Sequence, residues 1–171
     1  MPLRCLDEAD LLLILNWRNA PEVRNNMFST REITEQEHRD WFARTKADPQ
    51  SHFYVREDRD GVPNGVVYFT QCRPETQSSF WGFYAAPHSR PGTGTLLGME
   101  ALDEAFGPLK LHKVNAEVLA MNERSLGLHR KLGFTQEGLF RDFHFDGTRF
   151  MDVVRFGILA PEWHARRVNL A

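Results

Sequence analysis

The spacing of apolar and polar residues predicts two helices in the amino-terminal part of the chain. After a short strand at residues 3–6, Asp7 stands where it can cap a helix that ends at the turn Asn19-Ala20-Pro21, and the proline starts a further helical turn. Thr34 and Glu37 have the spacing of a capping box, in which each side chain satisfies a free backbone amide at a helix start. The pattern therefore predicts a helix on either side of a polar loop.

The rest of the chain alternates between β-rich segments and helical periodicity. Residues 52–56 and 65–71 are rich in Val, Phe and Tyr and are joined by the turn-forming residues 58–61, which predicts a hairpin. Further strands are predicted at 78–85 and 113–120, helices through Met99 and Phe106 and from Asn122 to Leu132, and a last hairpin at Asp146-Gly147. No repeat or linker interrupts this order, so we expect an α+β (α/β) fold with one central sheet in a single domain, residues 1–171.

Composition narrows the class of protein. With 42% hydrophobic and 26% charged residues, the 171 residues fit one compact domain rather than a disordered or fibrous chain. A formal net charge of -2 gives no broad positive field, so neither nucleic acid nor a membrane surface is an expected partner. The longest apolar run, Leu11 to Leu15, is too short to cross a bilayer, and no secretory signal pattern opens the sequence. We therefore expect a cytoplasmic protein.

The cysteine content indicates neither disulfides nor a metal cluster. Cys5 and Cys72 are the two cysteines, and they are too few and too far apart for a disulfide framework or a zinc site. We expect both to be buried thiols and expect no metal.

A strand that runs through a tight turn into a helix, residues 83–96, carries the first candidate chemistry. The first amides of a helix lack internal partners and carry partial positive charge, so a phosphate can accept several hydrogen bonds there. Gly92 and Gly94 allow close approach of the backbone, although Gly-x-Gly before a helix also suits a plain turn. The Walker pattern is absent, and Leu97 stands where a dinucleotide-binding loop has its third glycine.

A second segment has to be considered together with the first. Residues 122–134 read Asn-Glu-Arg-Ser-Leu-Gly-Leu-His-Arg-Lys-Leu-Gly-Phe, a helix capped by Asn122 and closed by Gly133. The two segments, with a strand ending at Ala120-Met121 between them, resemble the two cofactor motifs of GNAT N-acetyltransferases. That family's acetyl-CoA loop is Gln or Arg, two residues, Gly, one residue, Gly or Ala. Here the loop reads Ser-Arg-Pro-Gly-Thr-Gly from Ser89. Both glycines match the family pattern, whereas Ser89 stands where the family has Gln or Arg.

The resemblance implies a mixed sheet with two splayed parallel strands flanked by helices, and acetyl-CoA as co-substrate. The splayed strands would be residues 78–85 and 113–120. Either Arg90 replaces the cation missing at Ser89, or the pyrophosphate relies on backbone amides alone. The residues that the resemblance assigns to acetyl-CoA are Phe83, Tyr84, Ala85, Arg90, Pro91, Gly92, Thr93, Gly94, Thr95, Asn122, Ser125 and Lys131.

A narrower resemblance concerns the acceptor. Leu15-Asn16-Trp17-Arg18-Asn19 and Trp81-Gly82-Phe83-Tyr84 are similar to the N-acetyltransferases of pseudaminic acid biosynthesis. That similarity implies acetylation of the 4-amino group of a UDP-linked amino sugar, on the route to a sugar that decorates flagellin. It assigns to the acceptor Trp17, Arg18, Asn19, Arg24, Met27 and Trp81. The two guanidinium groups match the oxygens of a nucleotide diphosphate, and a solvated surface role suits each as well. Trp17 fits a helix-face core residue equally well.

Acyl transfer requires an amine without its extra proton, stabilisation of the developing oxyanion, and protonation of the leaving thiolate. The resemblance places a backbone amide near Tyr84 or Ala85 at the thioester carbonyl. Glu117, on the second splayed strand, is the candidate base, acting directly or through water, and an exposed strand carboxylate is its alternative. His129 stands where many relatives carry the tyrosine that protonates the thiolate. A histidine with its ordinary pKa near ~6.5 supplies little acid at neutral pH, so an exposed helix residue is the other interpretation.

Two other functions stay open at this stage. A protein N-terminal acetyltransferase of the ribosomal-protein type shares the Asn-x-x-Ser and Lys-Leu-Gly-Phe elements and would accept a peptide amine. A catalytically silent acyl-CoA-binding module would account for Ser89 and His129 as departures from the family pattern. The sequence leaves the oligomeric state undetermined, with a homodimer among the states it allows.

Overall fold

The computed structural model describes residues 3–87 and 89–170. The strands are β1 (Leu3–Cys5), β2 (His52–Glu57), β3 (Pro63–Arg73), β4 (Ser78–Ala85), β5 (Lys113–Leu119), β6 (Thr135–Phe145) and β7 (Phe150–Leu159). The helices are α1 (Leu11–Asn19), α2 (Pro21–Arg24), α3 (Glu35–Ala47), α4 (Thr93–Phe106), α5 (Glu123–Leu132) and α6 (Ala160–Arg167). The strands form one mixed sheet of seven in the order β1-β2-β3-β4-β5-β7-β6, which confirms the predicted fold class. No helix in the described ranges is long and apolar enough to cross a membrane.

Local signals place most of these elements where the sequence predicts them. The Asp7 side chain accepts a hydrogen bond from the amide of Ala9 and caps a 3₁₀ turn that leads into α1. Thr34 and Glu37 form the predicted capping box, with the Thr34 amide donating to Glu37 Oε2 at 2.8 Å. Helix α6 is not among the predicted elements. It packs against the core through Trp163, which is 1% exposed. The Trp163 indole N–H donates to Asp103 Oδ1 at 3.0 Å.

Strands β4 and β5 are the splayed pair. They run parallel and are in register only from Ser78 to Phe80, opposite Lys113 to Asn115. At the fork, the Asn115 side-chain amide donates to the backbone oxygen of Ser79 at 3.0 Å. Beyond it β4 stays paired with β3 and β5 with β7, so the two strands diverge with their facing backbone edges unpaired to each other. This gap through the middle of the sheet confirms the predicted splay.

The two faces of the sheet carry separate cores because side chains alternate along a strand. The larger cluster lies between the sheet and α4, α5 and α6, and includes Phe69, Leu102 and Phe156. On the other face, α1 packs through Ile14 and Trp17 against the sheet. The splayed gap therefore joins a face covered by α4 and α5 to a face covered by α1 to α3.

The prediction of two buried thiols is wrong for Cys5. Its side chain is exposed at the end of β1, an edge strand with one neighbour, whereas Cys72 is partly buried. Burial raises the pKa of the Cys72 thiol to about 11, so it stays protonated at neutral pH. Across the described residues, no group of three or more His, Cys, Asp or Glu side chains is arranged to hold a metal ion.

Candidate active site

Three neighbouring cavities lie beside the splayed strands. The cofactor cleft, about 350 Å³, lies between the starts of α4 and α5, and its walls include Tyr84, Arg90, Gly94 and Asn122. The reaction gap, about 250 Å³, lies between β4 and β5, and its walls include Phe83, Glu117 and His129. The acceptor cavity, about 590 Å³, lies between α3 and the sheet, and its walls include Arg18, His38, Trp41 and Tyr68. Because Met27 lines all three, they meet beside the loop that follows α2.

The start of α4 has the properties of an anion site. Its N-cap is Gly92, with φ 91°, and no side chain caps the helix. In the part of the chain that the structure describes, the amides of Gly94 and Thr95 have no hydrogen-bond partner. Free amides at the positive end of a 14-residue helix are suited to bind a phosphate group. The residues present therefore fit the pyrophosphate of acetyl-CoA.

The loop before α4 is held by two of its own hydroxyl side chains. The Ser89 hydroxyl donates to the backbone oxygen of Ala86 at 2.5 Å, and the Thr93 hydroxyl to that of Arg90 at 2.8 Å, so both side chains brace the loop. Arg90 is exposed and lines the cofactor cleft. Of the other predicted cofactor residues, four do not line this cleft: Pro91, Gly92, Thr95 and Lys131.

Asn122 and Ser125 lie where the cofactor cleft and the reaction gap meet, since each lines both. The Asn122 side-chain oxygen accepts a hydrogen bond from the Ser125 amide at 3.1 Å and caps α5 as predicted. A contact of Asn122 with the pantetheine arm stays a prediction. Phe83 lines the same two cavities, while Tyr84 and Ala85 line the cofactor cleft.

Glu117 lines the reaction gap, and its carboxylate is held by an arginine of the neighbouring strand. Arg155 lies opposite Glu117 on the neighbouring strand β7 and donates from Nη2 to Glu117 Oε1 at 2.6 Å. The Arg155 guanidinium lies 4.6 Å from the centre of the Phe80 ring and 5.5 Å from that of Phe140. Stacking on two rings restrains the guanidinium, which in turn orients the carboxylate. Glu117 is thus a partly buried, oriented carboxylate at the gap, and its role as the base stays a prediction.

The structure contradicts both interpretations of His129. The side chain is 3% exposed, so it is not an exposed helix residue. The Trp81 indole N–H donates to Nε2 at 3.2 Å, and Nδ1 lies 2.8 Å from the backbone oxygen of Ser125, which assigns the neutral ring with its proton on Nδ1. Burial lowers the pKa of His129 to about 4. A neutral ring with both nitrogens engaged cannot protonate the thiolate at neutral pH, so the predicted acid role is wrong.

Burial of neutral His129 predicts acid-dependent stability. Its folded-state pKa lies below the unfolded value, so the unfolded chain binds the extra proton and stability falls as pH drops from the unfolded pKa toward about 4. We expect a contribution of about 2 kcal/mol to be lost between about pH 7 and pH 5. His129→Phe should flatten that part of the pH profile in urea unfolding. An equal slope in wild type and variant would contradict this assignment.

The acceptor cavity contains two buried polar atoms that lack partners. Arg18 donates from Nη2 to the backbone oxygen of Ser29 at 2.9 Å, whereas its Nη1 is buried and unbonded in the described structure. His38 is 5% exposed, and its Nε2 is likewise unbonded. Burial lowers the pKa of both groups. Unbonded polar atoms that are buried beside a cavity indicate a polar ligand.

Four of the six predicted acceptor residues serve the fold instead. Trp17 lies in the small core under the sheet and lines none of the three cavities. Asn19 exchanges two hydrogen bonds of 2.8 Å with the backbone of Ile33, and Arg24 donates to the Thr30 oxygen, so both hold the loop between α2 and α3. Trp81 touches the reaction gap but is 6% exposed and bonded to His129. Arg18 and Met27 remain as predicted acceptor residues.

Sequence reasoning missed the aromatic wall of the acceptor cavity. Trp41, Phe53 and Tyr68 lie in consecutive contact, with ring centres 5.0 Å and 5.1 Å apart. Their strand and helix positions were predictable, but the cavity that they line forms only when α3 packs near the sheet. His38, three residues before Trp41 on α3, was the available signal, because residues at that spacing share a helix face.

A helix start with free amides, two splayed strands and an oriented carboxylate in the gap define an acyl-CoA-dependent acyltransferase site. The profile of the Acetyltransferase (GNAT) domain matches residues 1–135. The chain belongs to the GNAT family and is an N-acetyltransferase that uses acetyl-CoA.

Named relatives include enzymes with different names at similar levels of identity. Acetyltransferase PseH of Campylobacter jejuni is 30% identical over 140 residues, which cover 81% of this chain and 85% of the relative. Spermidine N(1)-acetyltransferase of Vibrio cholerae is 28% identical over 165 residues, 95% of each chain. The crystal structure of the Vibrio cholerae spermidine N-acetyltransferase with CoA and spermine superposes with a TM-score of 0.88 at 27% identity, covering 95% of this chain and 96% of that one. Overall similarity therefore does not decide between these two relatives.

Proposed function

We propose that the chain transfers the acetyl group of acetyl-CoA to the 4-amino group of a UDP-linked amino sugar, the reaction of pseudaminic acid biosynthesis. The observation that carries the proposal is Arg18, a partly buried guanidinium on the wall of the acceptor cavity with no acidic partner within the described ranges. A buried cation without a counter-charge is costly, and a diphosphate supplies both the charge and the missing acceptor for Nη1.

The carboxylates of the same cavity are already engaged. Glu37 accepts two hydrogen bonds from Arg31 and one from the Thr34 amide, and these contacts lower its pKa to about 2. Asp40 accepts a hydrogen bond from the neutral Gln36 side chain at 2.8 Å and keeps its charge, but three arginines, Arg18, Arg31 and Arg44, line the same cavity. A polyamine carries several positive charges and needs free carboxylates around them. The balance of charge therefore favours an anionic acceptor over a polycation.

The aromatic wall suits the rest of a nucleotide sugar. Trp41 and Phe53 offer ring faces and edges beside Arg18 and His38 in one cavity. A nucleobase stacks on such rings, and a sugar ring packs its apolar face on them. With the nucleotide in the acceptor cavity, the amino sugar extends toward Met27, where the acceptor cavity meets the reaction gap.

The chemical step follows from the order of the cavities. Acetyl-CoA in the cofactor cleft places its thioester in the gap, where unpaired backbone edges of β4 and β5 supply amides for the carbonyl oxygen. The amine enters from the opposite face, its nitrogen attacks the carbonyl carbon, and Glu117 takes the departing amine proton directly or through water. The C–S bond breaks and leaves coenzyme A as the thiolate. Because His129 is buried and neutral, it does not protonate this thiolate. The thiolate takes its proton from another donor or from water.

Spermidine acetylation is the second candidate. Its support is the 28% identity with the Vibrio cholerae spermidine N(1)-acetyltransferase, over 95% of each chain. The superposition on the structure of the Vibrio cholerae spermidine N-acetyltransferase with CoA and spermine adds to it. The deciding experiment measures acetyl transfer from acetyl-CoA to a UDP-4-amino sugar, spermidine, and an N-terminal ribosomal peptide side by side. We expect the highest kcat/KM with the sugar nucleotide. A preference for spermidine would overturn the proposed acceptor while leaving the acetyltransferase activity in place.

The placement of acetyl-CoA is testable at Gly94. We expect Gly94→Val to weaken acetyl-CoA binding about tenfold or more, because the added methyl groups enter the cofactor cleft and crowd the phosphate amides. The fold should survive, since a Cβ there meets only Leu128 at 3.6 Å. Calorimetric titration with acetyl-CoA measures the effect. Gly127→Val is the matched control, because a Cβ on that α5 glycine meets nothing within 4 Å and the residue lines none of the three cavities. Unchanged affinity in the Gly94 variant would contradict the placement.

A further inference from the structure

Tyr68 on β3 stands at the boundary between the acceptor cavity and the reaction gap, because it lines both. Its ring stacks on Phe53 with centres 5.1 Å apart and an interplanar angle of 19°. It is thus anchored on the acceptor side while its hydroxyl end reaches the gap.

Gly82 makes this reach possible. It is the direct partner of Tyr68 across the β3–β4 pair, and a Cβ atom there would overlap the Cζ and Oη atoms of the tyrosine. The end of the phenol therefore lies over Gly82 of β4, and any larger residue at that position would require the ring to move. Strand β4 forms one side of the gap, so the hydroxyl arrives where the acceptor amine must meet the thioester.

The Tyr68 hydroxyl has no hydrogen bond to any residue the structure describes. Burial raises the pKa of the phenol, so the group stays protonated and can both donate and accept. Tyr54, by contrast, bonds from its hydroxyl to Glu104 at 3.2 Å within the fold. A hydroxyl that does nothing for the fold and faces two substrate cavities is available to a ligand.

We propose that Tyr68 is an acceptor-binding residue that positions the amino group: its hydroxyl oxygen accepts a hydrogen bond from the amine N–H at the boundary between acceptor cavity and gap. The nitrogen lone pair is then free to face the thioester carbon, and the proton lost after attack goes to Glu117, which lines the same gap from β5. Tyr68 undergoes no net proton change. The inference rests on the amine acceptor of the proposed function, but it requires only an amine and not the sugar nucleotide.

The test is Tyr68→Phe, which keeps the ring and removes only the hydroxyl. We expect kcat/KM for the acceptor to fall about 10- to 100-fold, the effect of one lost hydrogen bond to a reacting group. The KM for acetyl-CoA and the melting temperature should stay at wild-type values, because the hydroxyl has no partner in the fold. Each variant is assayed with whichever of the sugar nucleotide, spermidine and peptide the wild type acetylates fastest. Tyr54→Phe is the matched control and should keep full activity.

A second pair of variants tests the contact with Gly82. We expect Gly82→Ala to displace the phenol and lower acceptor kcat/KM much as Tyr68→Phe does, and to add little in a Tyr68→Leu background, where no ring remains to displace. Wild-type kcat/KM in Tyr68→Phe, or equal losses from Gly82→Ala in both backgrounds, would overturn the proposal. A wild-type preference for spermidine would overturn only the sugar nucleotide as acceptor, so the two failures are distinguishable.

Discussion

Replacing Glu117 by Gln is expected to lower kcat by about 10²- to 10⁴-fold, the usual contribution of a positioned general base. The glutamine keeps the size of the side chain, and its oxygen can still accept the hydrogen bond from Arg155. Folding and acetyl-CoA affinity should therefore survive while the chemical step slows. Steady-state rates with the preferred acceptor, together with acetyl-CoA titration, measure the two effects separately.

The pH profile distinguishes a base from an orienting group. The loss should be largest below the pKa of the acceptor amine, where the amine must shed a proton before it attacks, and should shrink as pH rises toward that value. Glu137→Gln is the control, because Glu137 is also a carboxylate in an ion pair, with Lys113, but lines none of the three cavities. Wild-type turnover of the Glu117 variant across this pH range would remove Glu117 from the mechanism and leave water as the proton acceptor.

Arg18→Gln is expected to lower kcat/KM for the UDP-linked amino sugar by about 30-fold or more, the effect of removing one partner of a desolvated charge pair. Spermidine turnover, where measurable, should be unchanged or higher, because the variant cavity loses a positive charge that repels a polycation. The ratio of the two kcat/KM values therefore reports the sign of the charge that the cavity recognises.

Arg24→Gln is the matched control for this prediction. Arg24 also donates to a backbone oxygen of the loop between α2 and α3, at 3.1 Å from Thr30, but it lines none of the three cavities. A loop effect would appear in both variants, whereas loss of an anion contact appears only in Arg18→Gln. Equal losses for sugar nucleotide and spermidine in the Arg18 variant would show that the guanidinium supports the cavity without selecting the acceptor.

The sequence alone determined most of the elements and the helix start beside the cofactor cleft. Caps, turns and strand limits depend on residues a few positions apart, so β4 and the capping box at Thr34 and Glu37 were predictable. The anion site before α4 was predictable for the same reason, since the glycines at 92 and 94 and the helix start are contiguous.

Only the tertiary structure decided which side chains face the cavities and in what state. His129 reads as a helix residue in sequence, but Trp81, 48 positions away, bonds to it, and the surrounding core lowers its pKa to about 4. Trp17 and Arg18 are adjacent in sequence, yet one enters the core and the other lines the acceptor cavity. Burial and partner choice arise from packing between distant segments, and no local pattern encodes them.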